Sequence, residues 1–63
     1  MLAKNIKKFR KKLGLTQESL ARKAEISYNT IIKLETKGIL NPRMGTLKKL
    51  ACALEVSLDE LVG

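Results

Sequence analysis

Tyr28, Asn29, Ile32, Lys33 and Thr36 stand at i, i+1, i+4, i+5 and i+8, the spacing of one continuous face on an α-helix. Their chemistry is that of reading a surface, not of making or breaking bonds. The Asn29 amide sets a donor beside an acceptor, which suits the N6/N7 edge of adenine, and the Lys33 ammonium can reach guanine O6/N7. Tyr28 can bond a phosphate or stack on sugar and base. In a major groove this face would meet base edges. Ile32 is its one large apolar member, and the one apolar feature of the groove is the C5-methyl of thymine. The plain alternative is a solvent-facing helix surface, on which a single apolar residue needs no special cause.

Reactive chemistry has few candidates. The chain has no histidine and one cysteine, which removes His-based catalysis and the usual zinc ligand sets. No paired carboxylates, nucleophile–base pair or phosphate loop can be picked out, so the reading is a non-enzyme without cofactor or metal. A chain of 63 residues is read as one domain spanning residues 1–63. It buries roughly 60% of the surface that it exposes when unfolded. That is enough for one core and too little for a buried catalytic cleft, and no small-molecule ligand is evident. A lone cysteine cannot form an internal disulfide, which fits a reducing, cytoplasmic setting. The longest apolar run, Leu50 to Leu54, is five residues, against about 18 for a membrane span. Scattered lysines after Met1 take the place of a secretory h-region.

Charge gathers at one end. Thirteen Lys and Arg against six Asp and Glu give +7. Residues 1–23 hold eight basic residues and the single acid Glu18, so the whole excess resides there; residues 24–63 balance five against five. Such a footprint points to a polyanion, either nucleic acid or an anionic membrane surface. The bland alternative is a solvated lysine-rich helix.

The elements that position these residues are helices throughout. Leu2, Ile6, Phe9 and Leu13 step by 4, 3 and 4, a single apolar stripe, and Gly14 ends it. Three later starts share one device: Leu15-Thr16 before Leu20, Ile26-Ser27 before Ile31, and Val56-Ser57 before Leu61. In each a Ser/Thr N-cap follows an apolar residue that can staple onto the first turn. Glu60, three places after Ser57, completes a capping box. The spacing predicts helices near 2–13, 17–24, 28–36, 44–54 and 58–62, with no strand. Thr36 to Pro42 is the longest connection, where Asn41-Pro42 disfavours helix. Leu20, Ala21 and Ala24 give the second helix an inner face, Ile26 plugs the turn, and Ile31 and Leu34 face inward from the third. Two short helices joined by three residues make the helix-turn-helix outline.

The stretch Leu13-Gly14-Leu15-Thr16-Gln17-Glu18-Ser19-Leu20-Ala21-Arg22-Lys23-Ala24, with Ile26-Ser27, Ile31 and Leu34-Glu35, resembles the helix-turn-helix of the lambda repressor and Cro (XRE) family. Leu47, Leu50-Ala51, Ala53-Leu54 and Val56-Ser57-Leu58-Asp59-Glu60-Leu61 are similar to that family's last two helices. The resemblance covers nearly the whole chain. It implies a compact five-helix, all-α DNA-binding domain with the helix-turn-helix at the second and third helices. Ser27, Tyr28, Asn29 and Lys33 match family positions that commonly meet bases or phosphates. Taken with the residues' own chemistry, the expected base readers are Tyr28, Asn29, Ile32 and Lys33, and the expected phosphate anchors are Lys7, Arg10, Thr16, Gln17, Ser27, Thr36 and Lys37. Gln17 matches a glutamine that bonds phosphate and can brace the third helix; its place among free helix N-terminal N–H groups suits an anion. Arg10 and Glu35 match a buried ion pair between the first and third helices. Arg43 matches an arginine that enters the minor groove, which favours narrow A·T tracts.

Three positions depart from the family pattern. Glu25 replaces the usual turn glycine, at a cost of roughly 1 kcal/mol if its backbone is left-handed. Ile32 replaces a polar or small residue, and Gly45 weakens the start of the fourth helix. The expected function is sequence-specific binding of double-stranded DNA by a prokaryotic or phage regulator. It is expected to be a repressor, acting as a homodimer on a near-palindromic operator. Glu55, Val56, Leu58 and Val62 are the expected dimer contacts. An antitoxin-like module that also binds a protein partner is the alternative. A membrane-active cationic peptide is disfavoured, because the core needs the narrow apolar stripe of the first helix. Either occlusion alone suffices for regulation, or these residues belong to something longer.

Overall fold

The structure, a computed structural model, describes residues 2–36 and 42–63. Five helices follow in order: α1 (Leu2–Lys12), α2 (Gln17–Ala24), α3 (Tyr28–Thr36), α4 (Met44–Leu54) and α5 (Leu58–Val62). Among the described residues there is no strand. α1 packs across α3, α4 and α5, while α2 packs on α3 and α4. Their shared interior holds Ile6, Leu20, Ile31, Leu34, Leu50, Leu54 and Leu61, all essentially inaccessible to water. Ala21, Ala24, Ala51 and Ala53 are also buried; small side chains on α2 and α4 let the two helices approach closely.

Three connections are built alike. Each runs left-handed residue, apolar residue, hydroxyl residue: Gly14-Leu15-Thr16, Glu25-Ile26-Ser27 and Glu55-Val56-Ser57. The left-handed residue, at φ of 71°, 57° and 60° respectively, turns the chain out of its helix. The two N–H groups that follow bond back to the last free carbonyls. Gly14 reaches Lys11 and Leu15 reaches Arg10, both at 3.0 Å. Glu25 reaches Arg22 (3.2 Å) and Ile26 reaches Ala21 (2.9 Å). Glu55 reaches Cys52 (3.1 Å) and Val56 reaches Ala51 (3.0 Å). This is the Schellman closure. Leu15, Ile26 and Val56 then pack onto the core, so one apolar side chain both closes a helix and staples the start of the next.

The hydroxyl residue opens the following helix. Thr16 Oγ1 accepts from Ser19 N–H at 3.0 Å, and Ser27 Oγ accepts from Thr30 N–H at 3.4 Å. Ser57 forms the full capping box with Glu60. The Ser57 backbone N–H holds the Glu60 carboxyl below its ordinary range, aided by the Ser57 side chain and, more weakly, by Lys12. Asn5 Nδ2 donates to the Leu61 carbonyl at 2.9 Å, which ties the short α5 back onto α1.

Two expectations from the pattern are corrected. α1 ends at Lys12, not Leu13, and Leu13 is 37% exposed instead of completing the stripe. The closure at Gly14 captures the Arg10 and Lys11 carbonyls, so Leu13 swings to the rim of a shallow groove beside Phe9, Leu54 and Val56. Glu55 is also left-handed, a strain that the family pattern flags only at Glu25.

Both glutamates stand where glycine is the least strained residue. Glu25→Gly and Glu55→Gly should each stabilise the fold by up to about 1 kcal/mol, seen as a rise of a few degrees in the thermal midpoint. At Gly14 a Cβ would meet nothing within 4 Å, so Gly14→Ala should lower the midpoint through backbone strain alone. Unchanged midpoints in all three variants would contradict the shared geometry.

Candidate nucleic-acid interface

α3 sorts its residues by side. Ile31, Leu34 and Glu35 are buried; Tyr28, Asn29, Lys33 and Thr36 are exposed. Ile32 is half-buried, which corrects its expected place in the middle of the outward face. Each residue advances about 100° around the helix, so Ile32 lies a quarter-turn from buried Ile31, on the shoulder of the face. The centre is the ridge of Asn29, Lys33 and Thr36. Tyr28 lies nearer the core side but is 47% exposed because it begins the helix. The Thr36 hydroxyl donates to the Ile32 carbonyl, the back-bonding common for threonine in helices.

One buried carboxylate fixes this helix. The Glu35 side chain is 1% exposed. Arg10 grips it in bidentate fashion, Nε to Oε2 at 2.7 Å and Nη2 to Oε1 at 3.0 Å. Gln17 Nε2 donates to Oε1 at 3.1 Å, and Arg10 Nη1 donates to the Leu15 carbonyl at 2.8 Å. Glu35 is thus met by three N–H donors, as a buried charge requires. The expected ion pair is present. The same geometry removes Arg10 from the phosphate set, since its side chain is 11% exposed and its donors point to internal acceptors. Gln17, expected both to brace and to bond phosphate, is half-buried and braces through its amide nitrogen.

Around α3 the anchoring candidates are arranged at the surface. Thr16 and Ser27 are exposed caps at the starts of α2 and α3, where free N–H groups and the helix dipole favour an anion. Arg43 is exposed in extended backbone just before Met44 and makes no capping bond to α4. A cation at a helix N-terminus gains nothing from the dipole, so folding gives Arg43 no task there. Lys37 lies outside the described residues.

Lys7 is exposed on α1 with Lys4, Lys8, Lys11 and Lys12. Their spacing of i, i+3, i+4, i+7 and i+8 lines the side opposite Leu2, Ile6 and Phe9. Lys7 is the expected anchor among them; the spacing itself marks the other four as part of the same basic face. Lys8 also lies 5.6 Å from the Phe9 ring centre, within cation–π range. Of the expected dimer contacts, Val56 and Leu58 are half-buried against the core. Glu55 pairs with Lys23 at 3.3 Å, and Val62 is 46% exposed. Among the described residues no cluster of Cys, Asp or Glu is placed to hold a metal ion. No helix there is long and apolar enough to cross a membrane.

A short helix locked from behind through Glu35 and exposed in front, joined by a three-residue turn to a second helix that braces it through Gln17, defines a helix-turn-helix protein. The family model described as helix-turn-helix matches residues 6–61, and the chain belongs to that family, in its lambda repressor/Cro (XRE) type of DNA-binding transcription regulators. Two relatives from Archaeoglobus fulgidus, both described as uncharacterized HTH-type transcriptional regulators, are similar over 56 residues, or 89% of this chain. One is 39% identical with 79% of its length covered, the other 36% identical with 78% covered. Among solved structures, the N-terminal DNA binding domain of SinR from Bacillus subtilis superposes with a TM-score of 0.94 at 30% identity, covering 100% of this chain and 91% of that one.

Removing Arg10 would strand a buried carboxylate. Arg10→Met alone should cost about 3 kcal/mol, well above the 0–1 of a surface pair. Arg10→Met with Glu35→Leu should recover much of it, because no charge is then left in the interior. Denaturant midpoints of the three proteins measure this; an unchanged midpoint for Arg10→Met would contradict the buried network.

Proposed function

We propose that this chain binds a specific DNA operator in the cytoplasm as a homodimer and represses transcription by occupying the site. The observation that carries the reading is the two-sided α3, whose inner side is locked through Glu35 while Asn29, Lys33 and Tyr28 are exposed in one stretch. Asn29 and Lys33 read base edges, adenine and guanine by the geometry of their donors and acceptors. Tyr28 bonds backbone or stacks beside them. Lys7, Thr16 and Ser27 anchor phosphates on both sides of the groove, together with the outer amide positions of Gln17; Thr36, whose hydroxyl proton goes to the Ile32 carbonyl, leaves that set. Arg43, extended ahead of α4, enters the flanking minor groove. The likeness to the N-terminal DNA binding domain of SinR supports the same partner here.

One α3 spans only a few base pairs, so useful specificity calls for two. Val62, the most exposed apolar residue of α5, is the centre of the proposed self-contact, with Glu55 at its rim and Val56 and Leu58 beneath. Two-fold pairing makes the operator near-palindromic. Selection of bound duplexes from a random pool tests the whole reading. The expected product is an inverted repeat with half-site centres about 10–10.5 bp apart, or a multiple of it. Isolated half-sites without a partner at any fixed spacing would count against the dimer.

Reading and anchoring separate by mutation. Asn29→Ala and Lys33→Ala should each cost roughly 1–3 kcal/mol on the selected site and relax preference at one base pair. Lys7→Ala should weaken binding to selected and random duplex alike, and Lys7→Ala and Arg43→Ala should each lower the slope of log affinity against log salt by about 0.9. Equal losses on both duplexes for Asn29→Ala would remove it from the reading set.

A further inference from the structure

We propose that Ile32 makes a pyrimidine C5-methyl group a required feature of each operator half-site, so that the protein distinguishes thymine from uracil, and 5-methylcytosine from cytosine, at one position. The proposal rests on the DNA-binding reading above and adds to it the chemistry of one contact.

The interior does not need this side chain. α3 already sends Ile31 and Leu34 into the core, and Glu35 into its polar clasp. Among the described residues, the partly buried apolar side chains packed against the core are Leu2, Phe9, Leu15, Ile26, Leu47, Val56 and Leu58, without Ile32. Ile32 is half-buried on the shoulder, one turn after exposed Tyr28 and one turn before exposed Thr36. It directly precedes Lys33 and follows Asn29 by three places. Whatever Asn29 and Lys33 touch, Ile32 meets at the neighbouring base pair.

The side chain suits that meeting. A β-branched residue in a helix holds essentially one χ1 rotamer, so ordering it against a ligand costs little entropy. The Thr36 hydroxyl is bonded back to the Ile32 carbonyl, so its proton is not offered to a base edge there. In the major groove the apolar contact on offer is the C5-methyl. Opposite a purine, Ile32 would cover the N7 acceptor and leave it without a partner, which is unfavourable. The residue therefore selects for the methyl and against the alternatives. Cytosine methylated at C5 carries the same group in the same place, which makes this contact responsive to DNA methylation.

The test begins with the half-site obtained by selection. Duplexes are made with uracil replacing each thymine singly, and with 5-methylcytosine replacing each cytosine singly, and their affinities for the wild-type chain are measured at fixed salt. Loss of one methyl at a single half-site position should weaken binding about three- to fivefold; if that position holds cytosine, methylation should strengthen it by a similar factor. Ile32→Ser should bind both members of that pair equally, and Ile32→Val should keep part of the difference. The comparison on wild-type protein does not depend on whether a variant folds, and the thermal midpoint of Ile32→Ser reports folding separately. Specific binding that ignores every pyrimidine methyl overturns the proposal. Absence of any preference for selected over random duplex overturns the DNA-reading assignment, and this contact with it.

Discussion

The Glu35 carboxylate is the constraint to which the rest of the molecule answers. A buried charge is tolerated only if it is paired and hydrogen-bonded, so its partners cannot be placed loosely. Arg10 from α1 and Gln17 from α2 both converge on it, and Arg10 also holds the carbonyl of Leu15 between those helices. Three helices and one turn are thereby fixed around a single group on the back of α3. Among the described residues no buried side-chain polar atom is left without a partner. Apolar packing alone would tolerate small rotations of α3; bidentate geometry tolerates far less.

The connections apply the same economy to the backbone. So short a turn has room for one change of direction, one core contact and one cap. All three described turns assign these tasks in that order, to a left-handed residue, an apolar residue and a hydroxyl residue. Between α2 and α3 this fixes the angle at which one helix N-terminus stands beside the other. Glycine suits the left-handed place at residue 14, whereas glutamate occupies it at 25 and 55. Glu55 meets Lys23 there across an exposed pair, which offsets little of the strain.

Charge is divided by task. The outer side of α1 is lysine throughout, and α3 presents one lysine among neutral side chains. Lysines of this kind contribute attraction that acts at a distance and fades with salt. In the proposed role, asparagine, tyrosine and isoleucine act only at contact, where shape and hydrogen-bond pattern discriminate. A domain so divided can find a polyanion through one surface and choose among sequences through another.

The helix boundaries were legible in the sequence because caps are local. Thr16, Ser27 and Ser57 sit within a turn of the groups that they satisfy, and Gly14 within a turn of the carbonyls its closure captures, so short-range spacing determines four of the helix ends. The inward faces were legible for the same reason, since Leu20, Ala21, Ala24, Ile31 and Leu34 follow the helical period. The Arg10–Glu35 pair was reached through resemblance, because nothing local joins residues 25 places apart. What only the tertiary structure decided were the partners and depth of individual side chains. Of the two roles expected for Arg10 the interior clasp took its donors, Leu13 was left at the rim, Ile32 was set on the shoulder of its helix, and Glu55 was held left-handed without a local signal. Each outcome depends on which other helix lies opposite. Periodicity names the side of a helix, and only the packed neighbours determine how much of that side remains for a ligand.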